Sequence, residues 1–289
     1  SYTVGENVSD FLSLSSENKI GWGLYEDTLL IFGNGYMINN ASYENIPWKN
    51  YSKNIKKAVV EYGVLNTSQF LFSGTDGNGS SNYENLNVYT VADTAIRLGC
   101  NEIGDCSGLE KLDMSSATNV IMHYVTGNAL ANKIKSLTIP KGIASIGGCA
   151  FNNLTSLEEL IFEEGFNANP NADSEWGSAF RNTSVKFVTF PNSMEEIKPY
   201  FISRAYEINK ITILNKDAKL FDNCFYEINK NAIICGYAGS TAESFAKKNG
   251  YSFEAIADTP ALVTEKSRGK EKEGSVDKIY VMLMSGEHF

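Results

Sequence analysis

The 289-residue chain contains only two histidines, six prolines and five cysteines, and each shortage excludes a class of chemistry. Histidine is the usual proton carrier and a common metal ligand near neutral pH. His288 stands at the far end of the chain, and His123, in Val120-Ile121-Met122-His123-Tyr124, reads as a packed or surface residue rather than a catalyst. No HExxH, GxSxG, Walker A or dinucleotide-binding fingerprint occurs. Cys100, Cys106, Cys149, Cys224 and Cys235 are odd in number and follow no CxxC or Cys/His metal spacing. Structural thiols are the expectation for these cysteines, with a Cys100–Cys106 pair as the alternative. No stretch approaches the roughly 18 uninterrupted apolar residues of a spanning helix. Lys and Arg do not cluster, and a net charge of −9 argues against nucleic acid and anionic lipid as partners. The chain opens on Ser1 without a Met, a basic region or an apolar signal core, so it reads as a mature or trimmed form with its targeting sequence outside it.

What is present is a folded composition, 43% hydrophobic and 12% aromatic, carrying a repeat. A hydrophobic triplet spaced as Leu-x-x-Leu-x-Ile recurs as Leu86/Tyr89/Val91, Leu109/Leu112/Met114, Ile134/Leu137/Ile139, Leu157/Leu160/Phe162, Val185/Val188/Phe190 and Ile208/Ile211/Ile213. A degenerate copy, Ile55/Ala58/Val60, precedes them, and residues 233–237 begin a last one. A period in the twenties predicts a leucine-rich solenoid with one short strand per coil. A single coil cannot bury its apolar face alone, so neighbours must stack and share a core.

The clearest coil spans residues 134–154. Leu137 and Ile139 point inward and Ser136 and Thr138 outward, because side chains alternate along a strand. Pro140 cannot donate to the ladder and ends the strand. Ile143, Ile146, Ala150, Phe151 and Leu154 line the rest of the interior, and Cys149 and Cys224 fall at matching points beside Phe151 and Phe225. Extra loop occurs in two coils, at the Gly/Ser-rich stretch from residue 74 and at residues 167–178, and repeat insertions often lie on the binding side.

Five segments are expected: an arm (1–18), a β-rich amino-terminal cap (19–53), the solenoid (54–237), a closing helix and strand (238–257), and a charged linker with a tail (258–289). In the cap, Trp22-Gly23-Leu24, residues 28–35 and Pro47-Trp48 suggest short strands joined by glycine turns. The closing helix carries its own start and stop: Ser240 with Glu243 forms a capping box, Lys247 and Lys248 suit the helix dipole, and Gly250 ends it. Residues 265–273 form a mixed-charge run that cannot build a core. The apolar residues 278–284 either pair with an edge or begin a further module.

These coils resemble the BspA-like leucine-rich repeat family of bacterial and some protist surface proteins. Residues 134–154 follow its coil, with Pro140, Ile146, Gly147, Ala150 and Phe151 in register. Trp22, Leu24, Leu29, Ile31, Gly33, Gly35, Met37 and Pro47-Trp48 are similar to the module that precedes such repeats, and residues 235–243 to their closing motif. The match weakens in the Leu86 and Leu109 coils, which lack the Pro and the Ile-Gly-x-x-Ala-Phe block. The resemblance implies a β-dominated, horseshoe-like α/β repeat fold, secretion or surface attachment, and adhesion to host or microbial macromolecules. It implies no catalytic residue and no cofactor.

Stacking the coils predicts two outward rows, Lys57/Val88/Lys111/Ser136/Glu159/Phe187/Lys210 and Val59/Thr90/Asp113/Thr138/Ile161/Thr189/Thr212. Within them Lys111, Asp113, Thr138, Glu159, Ile161, Phe187, Thr189 and Lys210 are the candidate ligand-binding residues, because Phe187 and Ile161 place an apolar anchor on a polar face. The plain alternative is that Thr, Val, Ile and Phe simply suit strands. Asp76, Asn78 and Ser80 with Glu84 loosely follow a calcium loop without the rest of that pattern. Glu163-Glu164 and Glu195-Glu196 would serve a glycosidase only in a geometry that sequence does not reveal. The expected function is non-catalytic binding of a host extracellular or microbial surface macromolecule, protein or glycan, by a monomer without cofactor or metal. A structural spacer and an unrecognised hydrolase are the alternatives.

Overall fold

A computed structural model describes residues 2–4, 19–37, 46–73, 83–92, 94–95, 97–99, 102–104, 106–114, 119–121, 125–126 and 133–257. The chain divides into two units, Ser1–Ile256 and Ala257–Phe289, and every element below belongs to the first. His123, Cys100, the Asp76 loop and the tail expected beyond residue 257 lie outside the described residues.

Each hydrophobic triplet becomes the inward face of a strand. In Ser136–Ile139, Glu159–Phe162 and Phe187–Phe190 the first residue is exposed, the second and fourth buried, and the third half-buried. These strands pair in parallel with Lys210–Ile213, Ile233–Tyr237 and Ser252–Ile256 to form one six-stranded sheet. A second six-stranded sheet joins Lys57–Val60, Val88–Val91 and Lys111–Asp113 in parallel to an antiparallel start, Tyr2–Val4, Lys19–Tyr25 and Thr28–Asn34. The predicted outward rows are therefore true register rows within each sheet, but they do not run unbroken. No strand pairing joins Lys111–Asp113 to Ser136–Ile139 among the described residues. The Leu109 coil between them lacks both the Pro and the Ile-Gly-x-x-Ala-Phe block of the coil that follows it.

One strand per coil also proves too few. Ile143–Ile146 pairs in parallel with Asn119–Ile121, and that strand in turn with Arg97–Leu98. Phe180–Arg181, Ile202–Ser203 and Phe225–Tyr226 make a further ladder, and Glu196–Ile197 with Lys219–Leu220 another. These pairings give the turning backbone partners that water would otherwise have to supply. Pro47-Trp48, read as strand from sequence, instead leads into a 3-10 turn at Lys49–Asn54. Trp48 is fully buried, its indole N–H donating to Leu71 O at 3.1 Å.

The turns between these ladders demand an unusual backbone. Cys149, Asn153, Asn182, Tyr200, Arg204, Asn223 and Glu227 all have φ between 51° and 60°, a left-handed conformation that costs a non-glycine residue on the order of 1 kcal/mol. Stacking holds them: Asn153 N donates to Arg181 O, Asn182 N to Ser203 O and Arg204 N to Tyr226 O, at 2.9–3.1 Å. Gly108 is needed for a different reason, since a Cβ there would stand 2.0 Å from Glu84 O of the preceding coil.

A phenylalanine column fills the core from residue 151 onward. Phe162 stacks on Phe190 with ring centroids 5.0 Å apart, Phe180 on Phe201 at 6.0 Å, and Phe225 meets Phe245 of the terminal helix edge-on at 5.7 Å. That helix, Thr241–Asn249, begins as its sequence predicts, with the Ser240 hydroxyl accepting from Glu243 N, and ends at Gly250 in the left-handed region. Its capping box is displaced by one residue, because Glu243 Oε2 accepts from Gly239 N at 2.7 Å.

Candidate functional site

Parallel pairing sets the outward side chains of successive strands side by side. Glu159 lies opposite Ser136 on one flank and Phe187 on the other, and Phe187 opposite Lys210. Ile161 lies between Thr138 and Thr189. Phe187 is 48% exposed, whereas Ile161 is half-buried, so the expected apolar pair occupies one face of adjacent strands with Phe187 as its prominent member. Ser136 Oγ donates to Glu159 Oε2 at 3.4 Å. Lys210 Nζ donates to Glu254 Oε1 at 3.1 Å, and this bond holds the ammonium above its ordinary pKa. A lysine in that ion pair is a positioned charge rather than a base.

Lys111 and Asp113 stand on the other sheet, their side chains 3.3 Å apart in an ion pair. They do not join the row of Phe187. They face Ser136 and Thr138 across the gap between the two sheets, where the described residues bound an open cleft of about 930 Å³. Lys133, Lys135 and Glu163 also line it. The candidate residues thus fall into two groups: Lys111, Asp113 and Thr138 at the cleft, and Glu159, Ile161, Phe187, Thr189 and Lys210 on the continuous ladder. Sequence reasoning missed Lys133 and Lys135, and named Glu163 only as half of an acid pair, because an unbroken sheet leaves no cleft for them to line.

The insertion at residues 167–178 lies elsewhere. Asn171 N donates to Ile146 O at 2.9 Å, Asn169 Nδ2 to Glu196 O at 3.1 Å, and Lys198 N to Asn169 Oδ1 at 2.8 Å. Its asparagine side chains stand in for strand backbone between the Ile143–Ile146 and Glu196–Ile197 ladders, away from the Phe187 face.

Among the described residues no group of three or more His, Cys, Asp or Glu could hold a metal ion, and no helix is long and apolar enough to cross a membrane. Among the described residues the one carboxyl with a strongly shifted pKa is Glu102, fully buried. Burial raises it to about 7, against the lowering effect of hydrogen bonds from Thr67, Tyr89 and Gly99 N. It lies within the coil interior, tied on three sides. Cys224 and Cys235 are free, and burial pushes both thiols up and away from reactivity.

The BspA type leucine rich repeat region, in six copies, matches residues 77–172 and 174–255. The chain belongs to that family. Its repeats extend over more than half of the sequence and coincide with the parallel ladders. Proteins of the family are generally non-catalytic binding proteins. No curated protein matches the sequence. Among solved structures, a leucine-rich repeat protein from Eubacterium ventriosum is 19% identical over 83% of this chain and 68% of that one, with a TM-score of 0.45. The Treponema pallidum leucine-rich repeat protein is 16% identical over 88% of this chain and all of that one, at 0.36. A leucine rich cell surface protein from Faecalibacterium prausnitzii is 11% identical over 84% and 96%, at 0.26.

Proposed function

We propose that the chain is a secreted or surface-exposed adhesin-like protein that binds a host or microbial macromolecule, acting as a monomer without cofactor. The stacked coils serve as a solenoid, with residues 19–53 as its amino-terminal cap and residues 238–257 closing the other end. The observation that carries this reading is Phe187. A half-exposed aromatic side chain sits mid-sheet, with Glu159 on one flank and Lys210 on the other. Hot-spot anchors are aromatic side chains near the centre of an interface, ringed by polar contacts that exclude water. Ile161 and Thr189 extend the contact along the ladder. Lys111, Asp113 and Thr138 at the cleft offer charged and hydroxyl contacts for a partner that spans both sheets.

The test is a binding screen of the purified chain against immobilised extracellular-matrix proteins, mucin and bacterial glycans, with Phe187→Ala alongside. Saturable binding that falls at least tenfold in the variant, equivalent to about 1.4 kcal/mol, with an unchanged thermal midpoint, is the expected result. Uniform silence across the screen would favour a structural spacer that presents another module.

A further inference from the structure

The insertion at residues 167–178 delivers a second surface that shares no residue with the rows around Phe187. Two of the three tryptophans, Trp22 and Trp48, are buried, whereas Trp176 is 61% exposed. It is not a loosely hung side chain. Its short turn, Glu175–Gly177, is pinned to neighbouring coils: Arg204 donates to both carboxylate oxygens of Glu175 at 2.8 and 3.0 Å, Ser203 Oγ to Glu175 O at 3.0 Å, and Cys149 N to Gly177 O at 3.2 Å. The Arg181 guanidinium lies 4.1 Å from the indole centroid, and the ring stays well exposed with that cover in place. The Arg204 guanidinium lies 5.2 Å from the same centroid, so the result is a fixed, well-exposed aromatic side chain framed by two arginines.

Arg204 also lines a groove of about 280 Å³ with Asn182, Thr183, Ser184, Tyr206 and Glu207, close to the lower end of the roughly 300–1,000 Å³ usual for small-ligand sites. Tyr206 is 58% exposed, its hydroxyl donating to Glu227 Oε2 at 3.2 Å. Thr183 is only 3% exposed, yet its hydroxyl has no hydrogen-bond partner among the described residues, and neither has Arg181 Nε beside the indole. Buried polar groups normally find partners; both atoms are shielded from solvent, so a polar ligand in the groove meets them once the Thr183 and Arg181 side chains turn outward.

The chemistry of the lining selects among ligands. Arg181 and Arg204 are offset by Glu175, Glu207 and Glu227, with Arg204 paired to Glu175 at 2.8 Å and to Glu227 at 3.4 Å. This charge balance gives a sulfated or phosphorylated ligand no net attraction. Apart from Tyr206 the groove is walled by hydroxyl, amide and charged groups, unlike the desolvated apolar pocket that anchors a protein side chain. An aromatic plate beside short donors and acceptors matches a pyranose ring, which has an apolar C–H face and a rim of hydroxyls. We propose that Trp176 and the Thr183 groove form a binding site for a neutral oligosaccharide, one sugar stacking on the indole and its neighbour bonding to Thr183, Asn182 and Ser184.

Tryptophan fluorescence tests this directly, because acrylamide quenching reports chiefly on the single exposed indole. Chitohexaose, cellohexaose, xylohexaose and mannohexaose would be titrated into the full chain, with a heparin hexasaccharide and gelatin peptides as charged and peptide comparators. The expected result is saturable protection of Trp176 by at least one neutral hexasaccharide. Trp176→Ala should weaken that binding at least tenfold by calorimetry, and Asn182→Gly, which suits the left-handed backbone there, severalfold. Phe187→Ala should leave it unchanged, so this site and the sheet face fail or succeed separately. Binding by none of the neutral sugars, binding only of heparin or gelatin, or undiminished binding by a folded Trp176→Ala would each overturn the assignment.

Discussion

The coils before residue 115 and those after residue 133 solve the same packing problem with different materials. The later coils repeat one solution, in which Phe151, Phe162, Phe180, Phe190, Phe201 and Phe225 form a continuous column of ring contacts. The earlier ones bury a mixed cluster. Trp22, Trp48, Phe72, Tyr83 and Tyr89 meet mainly edge-on or tilted, and Glu102, Thr67, Ser68 and Asn66 are buried among the same coils. The regular coils also bury small polar side chains, Asn152, Ser178, Thr183 and Ser203, but among the described residues they bury no carboxyl. Irregular coils leave backbone groups unpaired, and polar side chains must be taken inside to meet them: Glu102 accepts from Gly99 N at 2.6 Å, and Asn66 Oδ1 accepts from Met37 N at 2.6 Å.

The largest effect that would break this comparison lies in the phenylalanine column. Phe201 is fully buried and touches the rings of Phe162, Phe180 and Phe190. Phe201→Ala should cost about 3–5 kcal/mol, read from urea unfolding, and a loss below 1 kcal/mol would show that the column is not the core it resembles. Next comes Glu102. Its pKa rises on folding to about 7 from an ordinary value of 4.5, so the folded state holds a proton that the unfolded chain releases. Its contribution is complete below about pH 4.5 and is lost as pH rises towards 7, a change on the order of 3 kcal/mol. Glu102→Gln should flatten the stability–pH curve across that window, and an unchanged slope would contradict the assignment. Ser240→Ala removes the hydroxyl that accepts from Glu243 N and should cost about 1 kcal/mol, measured by thermal unfolding. Phe187→Ala is the smallest in stability, within about 0.5 kcal/mol as for most surface positions.

The same contrast explains what the sequence made legible. Every inward residue of the triplets from Ile134 to Ile213 is buried, because strand alternation and a constant period leave those side chains no other place. The terminal helix was equally readable, since Ser240, Glu243 and Gly250 mark both of its ends. The gap between the sheets was only half readable: the Leu109 coil lacks the Pro and the Ile-Gly-x-x-Ala-Phe block, but its triplet meets the pattern as its neighbours do while its strand stops after Asp113. Nor was the fate of Glu102, a single acidic letter in a stretch without repeat landmarks. Trp176 carried a usable signal, being an aromatic residue within a polar insertion, but period alone does not say which side of the coil an insertion follows. Asn167 and Asn169 decide that, through side-chain bonds to Glu195 N and Glu196 O.

Hydroxyl-radical footprinting of the chain, free and saturated with the macromolecule it captures, tests the central claim most directly. Half-exposed Phe187 is oxidised in the free protein, and the sheet-face account predicts that its oxidation drops several-fold on binding while buried Phe190 stays silent in both states. Equal oxidation of Phe187 in the free and bound protein would contradict it.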